Sequence, residues 1–478
     1  MAGPTSTLDI SARLDRLPGN PMLWSWVGRL SLGGFFEIYD LALTALLSPL
    51  LVGAGVFRAG SDGLLGYPDQ ASFAFLTMLG LFLGSLGLSG VADRYSRRSL
   101  FMASLLWYSA ATLMMALQHT ASGVCLWRFV ASIGLGLELV VIECYLAEIT
   151  PKRLRGRVFA VSKSVQVCAI PIAGFFAHAA GTEGWLGMPG WRWVALAPVA
   201  GALIVLLIRR SIPESPRWLE ARGREREANL IVRKIERYVE QRSGQPLPPP
   251  ERIASVPAPQ GRARYADIFQ APHRRRMLML IVVDCASSIA YYGFAHWAPT
   301  LLEHQGVNIT RSLLYTAAIG LAYPVAPLIG ALFADRIERK WQVAIVGVLG
   351  AVFGLLFARQ DSAAMWIVCG VLLTISIEIK STAAHTYRSE LFPTHLRAKA
   401  VGLIYAFSRL AGAASSYVIA FVLLRSGVPG VFAVIIALLL LSVAVVLRFG
   451  PKTRGLSYEE ITDDLPAGNT AREGLKAR

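Results

Sequence analysis

Long apolar blocks alternate with short polar breaks along almost the whole chain. A helix needs about 20 mostly apolar residues to cross a bilayer, and twelve blocks come close to that length. We predict spans 1 to 6 near residues 24–51, 70–91, 99–118, 122–147, 158–181 and 191–209, and spans 7 to 12 near residues 276–302, 312–334, 341–358, 363–388, 398–424 and 429–448. The pattern therefore predicts an all-α polytopic membrane protein with two groups of six spans.

The polar segments divide the chain into five parts. We predict a cytoplasmic N-terminal segment at 1–23, a first six-helix bundle at 24–209, a long cytoplasmic loop at 210–275, a second six-helix bundle at 276–448 and a cytoplasmic tail at 449–478. The loop begins with a charged, helix-favouring stretch and continues into a proline-rich one. This order predicts short amphipathic helices followed by a flexible linker between the bundles.

Composition and charge agree with a membrane protein. Hydrophobic residues make up 54% of the chain and charged residues 16%, whereas a soluble protein carries about a quarter charged residues. The net charge of +16 would suit nucleic acid, but the basic residues cluster in loops on one side of the predicted membrane. Of 47 basic residues, the opposite loops carry only Arg58, Arg192, Arg311, Arg359 and Arg425. This asymmetry predicts a protein of the cytoplasmic (inner) membrane with both termini inside and no nucleic-acid partner.

Two charged motifs recur at one offset. The pair Asp93-Arg94 recurs as Asp335-Arg336, and the stretch EITPKRLRGR recurs as ELFPTHLRAK. Both repeats are displaced by 242 residues, and each follows the same even-numbered span of its half. The repeat therefore predicts two parallel bundles related by a pseudo-twofold axis along the membrane normal.

Several motifs resemble a known family in their order and spacing. GVADRYSRR resembles the loop between helices 2 and 3 of the major facilitator superfamily. RFVASIGLGLE, AEITPKRLRGR, PESPRWL, SELFPTHLRAKA and GPKTRGLSYEEI together resemble its sugar-porter and organic-ion-transporter branch. FFEIYD and YYGFAHWAP look most like the bacterial niacin-type and aromatic-acid proton symporters. The resemblance implies the major facilitator fold and secondary transport by alternating access.

Acidic and basic residues gather at the predicted inner ends of the spans. Pairs between the two halves would form when the cytoplasmic side closes, and each exposed pair is worth only about 0–1 kcal/mol, so the set would bias a two-state equilibrium without locking it. The alternative is that these are ordinary membrane-flanking charges. The predicted gating residues are Asp93, Arg94, Arg97, Arg98, Glu143, Glu148, Arg155, Asp335, Arg336, Arg339, Glu390 and Arg397.

Three ionisable residues in the first half are candidates for proton coupling. Glu37 and Asp40 share a face of span 1, and Arg128 on span 4 lies at a depth that agrees with Asp40 to about one helical turn. A carboxylate in a partly dry cavity can exchange its proton according to whether a guanidinium engages it. The resemblance implies the same role for Asp40 and Arg128. The alternative is a static ion pair that holds the helices together.

The second half and the aromatic side chains suggest a substrate site. Glu378 and Arg409 match in depth near the midplane, where Arg409 either holds a substrate carboxylate or is neutralised by Glu378. Planar apolar walls with a few polar handles suit a small aromatic or heterocyclic solute. The predicted substrate-binding residues are Phe36, Tyr39, Gln166, Tyr291, Tyr292, Trp297, Glu378 and Arg409.

The combination predicts a proton symporter of a small organic acid or related heterocycle, such as a nicotinate-like or aromatic acid. A carrier of a sugar, polyol or organic cation is an alternative, and a membrane receptor that does not transport is another. We find no nucleotide loop, nucleophile motif or metal-ligand spacing in the sequence, so we expect no enzyme, no metal and no cofactor apart from the coupling proton. The expected partners are the small solute and the lipid bilayer, and we expect a monomer.

Overall fold

The computed structural model describes residues 10–58, 60, 66–87, 97–209, 212–249, 268–270, 273–334, 337–392 and 394–452. These residues are almost entirely helical, and the only extended pairing among them is an isolated bridge between Trp185 and Met188. Nine of the twelve predicted gating residues lie outside the described backbone or side chains: Asp93, Arg94, Arg97, Arg98, Glu143, Arg155, Asp335, Arg336 and Arg397.

The first bundle has six crossing helices, which keep their predicted span numbers. They are span 1 (Pro21–Gly53), span 2 (Asp69–Gly87), span 3 (Arg97–Ala116), span 4 (Ala121–Ile149), span 5 (Arg155–Val167 and Ala169–Ala180) and span 6 (Gly190–Arg209).

The second bundle repeats this arrangement. It consists of span 7 (His273–Ala295, continued by Ala298–His304), span 8 (Ile309–Gly320 and Ala322–Ala334), span 9 (Arg339–Ala358), span 10 (Ala363–Glu390) and spans 11 and 12, which together form Thr394–Phe449. The last helix is broken at Gly427, whose φ of 62° favours glycine over other residues. By length and hydropathy, nine helices of the described part can cross a membrane, and the ninth, Lys399–Phe449, is long enough to cross twice. Asp69–Gly87 and Ala121–Ile149 complete the twelve spans of the fold.

Polar caps in the sequence fix where several spans begin. Asn20 precedes Pro21, and its side chain accepts a hydrogen bond from the Leu23 backbone at 2.9 Å. Thr120 and Asn308 cap spans 4 and 8 in the same way. Each cap satisfies a backbone N–H group that the first helical turn leaves open.

The offset of 242 residues reappears in the coordinates. Span 3 begins at Arg97 and span 9 at Arg339, and they end at Ala116 and Ala358.

Two buried tyrosines repeat at the same offset. Tyr145 on span 4 donates to the carbonyl of Pro213, which follows span 6, and Tyr387 on span 10 donates to the carbonyl of Pro451, which follows span 12. Each tyrosine therefore ties the fourth helix of its half to the chain that leaves the sixth.

The bundles meet at one face of the membrane and separate at the other. We call the face that carries Pro21 and Phe449 the terminal face and the opposite one the distal face. At the distal face Ser72 and Tyr417 are hydrogen bonded across the bundles at 3.0 Å. A methyl group added at Gly174 there would lie 2.7 Å from Ala317 Cβ.

The terminal face is open by comparison. A methyl group added at Gly156 or Gly402 would have no atom within 4 Å. Lys163 on span 5 and His385 on span 10 are both exposed, although each lies within a membrane-crossing helix. A charged side chain at this depth faces water rather than lipid, so a cleft between the bundles opens at the terminal face.

The N-terminal helix (Ile10–Asp15) packs on the linker helices (Pro216–Ala221 and Glu225–Ser243). Their apolar side chains form a separate cluster that includes Ile10, Leu14 and Val232. Glu236 accepts hydrogen bonds from both Arg13 and Arg16. The sequence predicts amphipathic helices in this loop, but it gives no sign that the N-terminal segment covers them.

Candidate functional site

Asp40 and Arg128 form a fully enclosed ion pair between spans 1 and 4. Arg128 Nη1 donates to Asp40 Oδ1, and neither side chain has any exposed surface. Asp40 and Thr44 lie one turn apart on span 1, so the same guanidinium reaches the Asp40 carbonyl at 2.7 Å and the Thr44 hydroxyl at 3.1 Å. The structure thus brings together the two residues that the sequence pairs by depth.

Hydroxyl groups from spans 2 and 3 complete this site. Thr112 donates to Asp40 Oδ2 at 3.0 Å, and Arg128 Nε donates to Thr77 at 3.1 Å. Both carboxylate oxygens and all three guanidinium nitrogens therefore have partners, as a buried charge requires. The sequence analysis missed these threonines because hydroxyl residues are common in membrane helices. Glu37 is buried one turn before Asp40.

Arg409 faces the first bundle from span 11. It donates to the Tyr292 hydroxyl at 2.7 Å, and the Tyr292 ring lies 4.9 Å from the ring of His296. His296 is buried and interacts electrostatically with both Arg409 and Arg128. Arg409, Tyr292 and His296 thus form a polar cluster of the second bundle, and His296 lies within electrostatic range of Arg128. His296 lies within the motif YYGFAHWAP, and this motif could have identified His296 as a candidate site residue from the sequence.

Glu378 and Arg409, which the sequence matches by depth, have different partners in the described residues. Glu378 is hydrogen bonded to Tyr291 and interacts electrostatically with Lys163 of the first bundle. Glu378 and Arg409 lie at a similar depth in the membrane, but the Arg409 guanidinium donates its hydrogen bond to the Tyr292 hydroxyl.

The other predicted substrate residues differ in position. Gln166 lies against Gly34 of span 1 and donates to Ser162 at 2.9 Å, and Tyr39 and Trp297 are buried within the cores of their own bundles. Phe36, which was predicted to bind substrate, packs its ring on Gly201 of span 6 within the first bundle. The absence of a side chain at Gly201 leaves the space that this ring occupies.

A second buried ion pair, Asp284 with Arg388, joins spans 7 and 10. Arg388 Nη1 donates to Asp284 Oδ1 at 2.5 Å. The guanidinium also lies over the Tyr405 ring, 4.6 Å from its centroid, and 3.4 Å from His385 Nδ1. Neither residue was assigned a role from the sequence, and Arg388 stands at the predicted end of span 10.

Lys380 adds a second positive charge to this region. Its ammonium donates to Ser287 at 2.7 Å and interacts electrostatically with Asp284. Glu138, its counterpart at the 242-residue offset, is likewise buried in span 4.

The described gating residues form a contact within one half. Arg339 Nε lies 3.4 Å from Glu390 Oε1, between spans 9 and 10. Glu148 is half-buried at the end of span 4, and the side chains of Arg97, Arg98 and Arg397 lie outside the described part. The proposed pairing between halves stays a prediction.

Two six-helix bundles around a water-accessible cleft that holds buried charges define a secondary membrane transporter of the major facilitator class. The family model described as "Sugar (and other) transporter" matches residues 29–465. The chain therefore belongs to this transporter family.

Individual relatives agree with this assignment. The chain is 28% identical over 441 residues to the putative metabolite transport protein YyaJ of Bacillus subtilis (strain 168), covering 92% of this chain and 95% of that protein. It is 27% identical over 460 residues to the niacin transporter NiaP of Acinetobacter baylyi, covering 95% of this chain and 100% of that protein. A partially occluded inward-open structure of the xylose transporter XylE from E. coli is similar in fold, with a TM-score of 0.69 and 19% identity over 92% of this chain and 100% of that one.

Proposed function

We propose that this protein is a proton-coupled symporter that takes up a small aromatic or heterocyclic acid such as nicotinate. The observation that carries the proposal is the enclosed Asp40–Arg128 pair, which lies within electrostatic range of His296 in the second bundle. A carboxylate held in this way exchanges a proton only when the guanidinium is displaced. Movement of the second bundle, or arrival of an anion, supplies such a displacement.

The substrate class follows from the charges next to this pair. Arg409 is half-buried and its hydrogen-bond partner, Tyr292, is neutral, so a substrate carboxylate would add the missing negative charge. Tyr291 and Tyr292 meet edge to face with centroids 5.0 Å apart and provide aromatic surface beside the cation. Two relatives are named niacin or niacin/nicotinamide transporters, which supports this choice.

The proposed orientation places the terminal face in the cytoplasm and the protein in the cytoplasmic membrane. The bias of basic residues toward that face supports it. The open cleft then corresponds to an inward-facing state, from which substrate and proton would leave. We propose a monomer whose cytoplasmic charges act as the gate and whose only cofactor is the proton.

Uptake of radiolabelled nicotinate into proteoliposomes tests the proposal. We expect a higher initial rate with an inward proton gradient than without one, and competition by other aromatic acids. Nicotinamide is the matched control, because it has the same ring without the carboxylate and should compete poorly. Equal rates with and without the gradient would contradict proton symport, and no uptake of any aromatic acid would contradict the substrate class.

Sugar transport is a second candidate, favoured by the names of similar proteins. The chain is 24% identical to the arabinose-proton symporter of Bacillus subtilis over 448 residues. Polar neutral groups such as Gln166 would suit a sugar hydroxyl. A parallel uptake arm with radiolabelled xylose and arabinose separates the two functions, because the acid proposal predicts no gradient-driven uptake of either sugar.

A further inference from the structure

The two bundles each contain one buried aspartate–arginine pair, and the two pairs join corresponding helices. Asp40 and Arg128 join spans 1 and 4, while Asp284 and Arg388 join spans 7 and 10, which are the first and fourth helices of each half. Asp40 lies 19 residues after the start of span 1 and Asp284 lies 11 residues after the start of span 7. At 1.5 Å per residue, the second pair is about 12 Å closer to the terminal face.

The second pair is incompletely satisfied. Asp284 Oδ2 and Arg388 Nε are buried and have no hydrogen-bond partner in the part of the chain that the structure describes. The pair Arg13–Glu236 shows what a saturated contact looks like here, since both carboxylate oxygens of Glu236 accept from Arg13. An ionised carboxylate accepts hydrogen bonds at both oxygens, so a buried oxygen without a donor marks a position that accommodates a proton.

A route connects this oxygen to the open cleft. His385 is exposed and lies beside Arg388, and its ring is hydrogen bonded to the Tyr405 hydroxyl. Across the cleft, Lys163 of the first bundle interacts electrostatically with His385. The charged and titratable groups around Asp284 in the described residues are Cys285 on its own helix, Lys380, His385 and Arg388 on span 10, and Tyr405 on span 11.

We propose that Asp284 is a second proton-binding site, held by Arg388 and reached from the terminal-face cleft past His385. The inference rests on the proposed proton symport and doubles its stoichiometry to two protons per acid anion. On binding, the proton forms an O–H bond at Oδ2, the carboxylate loses its charge and the ionic contact with Arg388 breaks. On release to water in the cleft, the O–H bond breaks, its electron pair stays on the carboxylate and the contact with Arg388 forms again.

The steady-state accumulation ratio of nicotinate in proteoliposomes tests the stoichiometry. With a gradient of about one pH unit and the voltage clamped at zero, each coupled proton multiplies the ratio about tenfold, so wild type should reach about a hundredfold. Asp284→Asn should reach about tenfold, Asp40→Asn should reach the same value, and the double variant should not accumulate. An inside-negative voltage should raise accumulation in wild type and leave Asp284→Asn unchanged, because an anion carried with one proton moves no net charge. The ratio is set by thermodynamics and does not depend on how much active protein is present.

A second variant guards against misfolding. Asp284→Asn leaves a buried Arg388 without its anion, so Asp284→Asn/Arg388→Gln removes both charges and should give the same ratio as Asp284→Asn. Arg224→Gln/Glu227→Gln removes an exposed pair on the linker helices and should match wild type. A ratio in either Asp284 variant equal to that of wild type would overturn the inference.

An infrared measurement tests whether Asp284 takes up a proton in the absence of any substrate. Acidification of the purified protein should produce the carbonyl-stretch band of a protonated carboxylic acid, and part of that band should be missing in Asp284→Asn/Arg388→Gln. If wild type fails to accumulate nicotinate, the proposed function fails while this band still tests Asp284. An identical band in wild type and variant would overturn the second proton site.

Discussion

The two buried ion pairs differ in how well the protein surrounds them. Asp40 and Arg128 have no exposed surface and a partner for every polar atom, whereas the side chains of Asp284 and Arg388 are 9% and 6% exposed and each keeps an unpartnered atom. The first pair lies toward the closed distal face and the second beside the open cleft. A charge pair that is sealed on all sides holds helices together until the whole bundle moves, while one that borders water can change its protonation within a single state.

The largest expected effect is a difference in protein stability between variants that lose the arginine of one pair or of the other. Arg128→Met leaves Asp40 uncompensated in a dry site and should cost about 3–5 kcal/mol. Arg388→Met should cost less, because Asp284 lies next to the cleft and can take a proton. Thermal unfolding of both variants in detergent measures the difference, with Arg224→Met as the exposed control. An equal loss of stability in Arg128→Met and Arg388→Met would contradict the difference in hydration between the two sites.

Removal of the Arg409 charge should affect the binding of substrate more than the stability of the fold. Arg409→Gln removes a charged partner of the substrate carboxylate, an interaction worth about 1.5–3 kcal/mol, so the Kd for nicotinate should rise about tenfold or more. Tyr292→Phe, which keeps the cation, is the matched control and should give a smaller change. The binding of nicotinate can be measured by calorimetry. Unchanged affinity in Arg409→Gln would remove Arg409 from the substrate site.

A single methyl group at the distal face should shift the balance between states. Gly174→Ala brings a carbon to 2.7 Å from Ala317 Cβ, and such overpacking costs about 1–3 kcal/mol. This cost falls only on the form in which the distal face is closed. The accessibility of Ala160→Cys, which is exposed one turn before Lys163 on the same face of span 5, should therefore fall in a background without native cysteines.

Gly402→Ala is the control for this shift, because a methyl group there meets no atom within 4 Å. Labelling of Ala160→Cys should stay at the wild-type level in that variant. The same loss of labelling in both glycine variants would mean that the cleft does not close in response to the distal contact.

The smallest expected effect is on the stability of the contact between Glu236 and Arg13, which lies outside the membrane. Burial raises the pKa of Glu236, but hydrogen bonds from Arg13 and Arg16 outweigh it, so its pKa lies below the ordinary value of 4.5. A depressed folded-state pKa contributes stability that is present above the unfolded pKa and is lost as the pH falls through the folded one. Hydrogen exchange of residues 10–20 should therefore increase at acidic pH in wild type. Glu236→Gln should show the increased exchange already at neutral pH, and protection that does not change with pH would contradict this role.

The sequence predicted the spans well because hydropathy and length decide them. Span 1 was expected near 24–51 and runs from Pro21 to Gly53, and the repeat at Asp335-Arg336 anticipated the matching bounds of spans 3 and 9. The pairing of Asp40 with Arg128 followed from depth alone, since two charges in an apolar environment at one level have few other partners.

The contacts that the sequence missed depend on which helix faces meet. Glu378 and Arg409 lie at a similar depth, but Arg409 donates its hydrogen bond to the Tyr292 hydroxyl because of the face of span 11 on which it lies. Phe36 lies on the same helix as Asp40 and was predicted to bind substrate, and its ring packs on Gly201. Arg13 and Glu236 are 223 residues apart in the chain, and no periodicity links two helices so distant. A tyrosine repeat was visible at 145 and 387, although only the structure shows what the two hydroxyl groups bind.

Tyr387 and Arg388 are adjacent residues of span 10 with different attachments. The tyrosine hydroxyl holds the carbonyl of Pro451 at 2.6 Å, where the chain leaves the membrane, while the arginine holds Asp284. A rotation of this helix end that separates Arg388 from Asp284 would also move Tyr387 and the Pro451 carbonyl that it binds. In the first half, Tyr145 has the same tie but is followed by Leu146. In the proposed mechanism, proton binding at Asp284 is thereby coupled to the chain that leaves span 12, a coupling that Leu146, which carries no charge, does not provide in the first bundle.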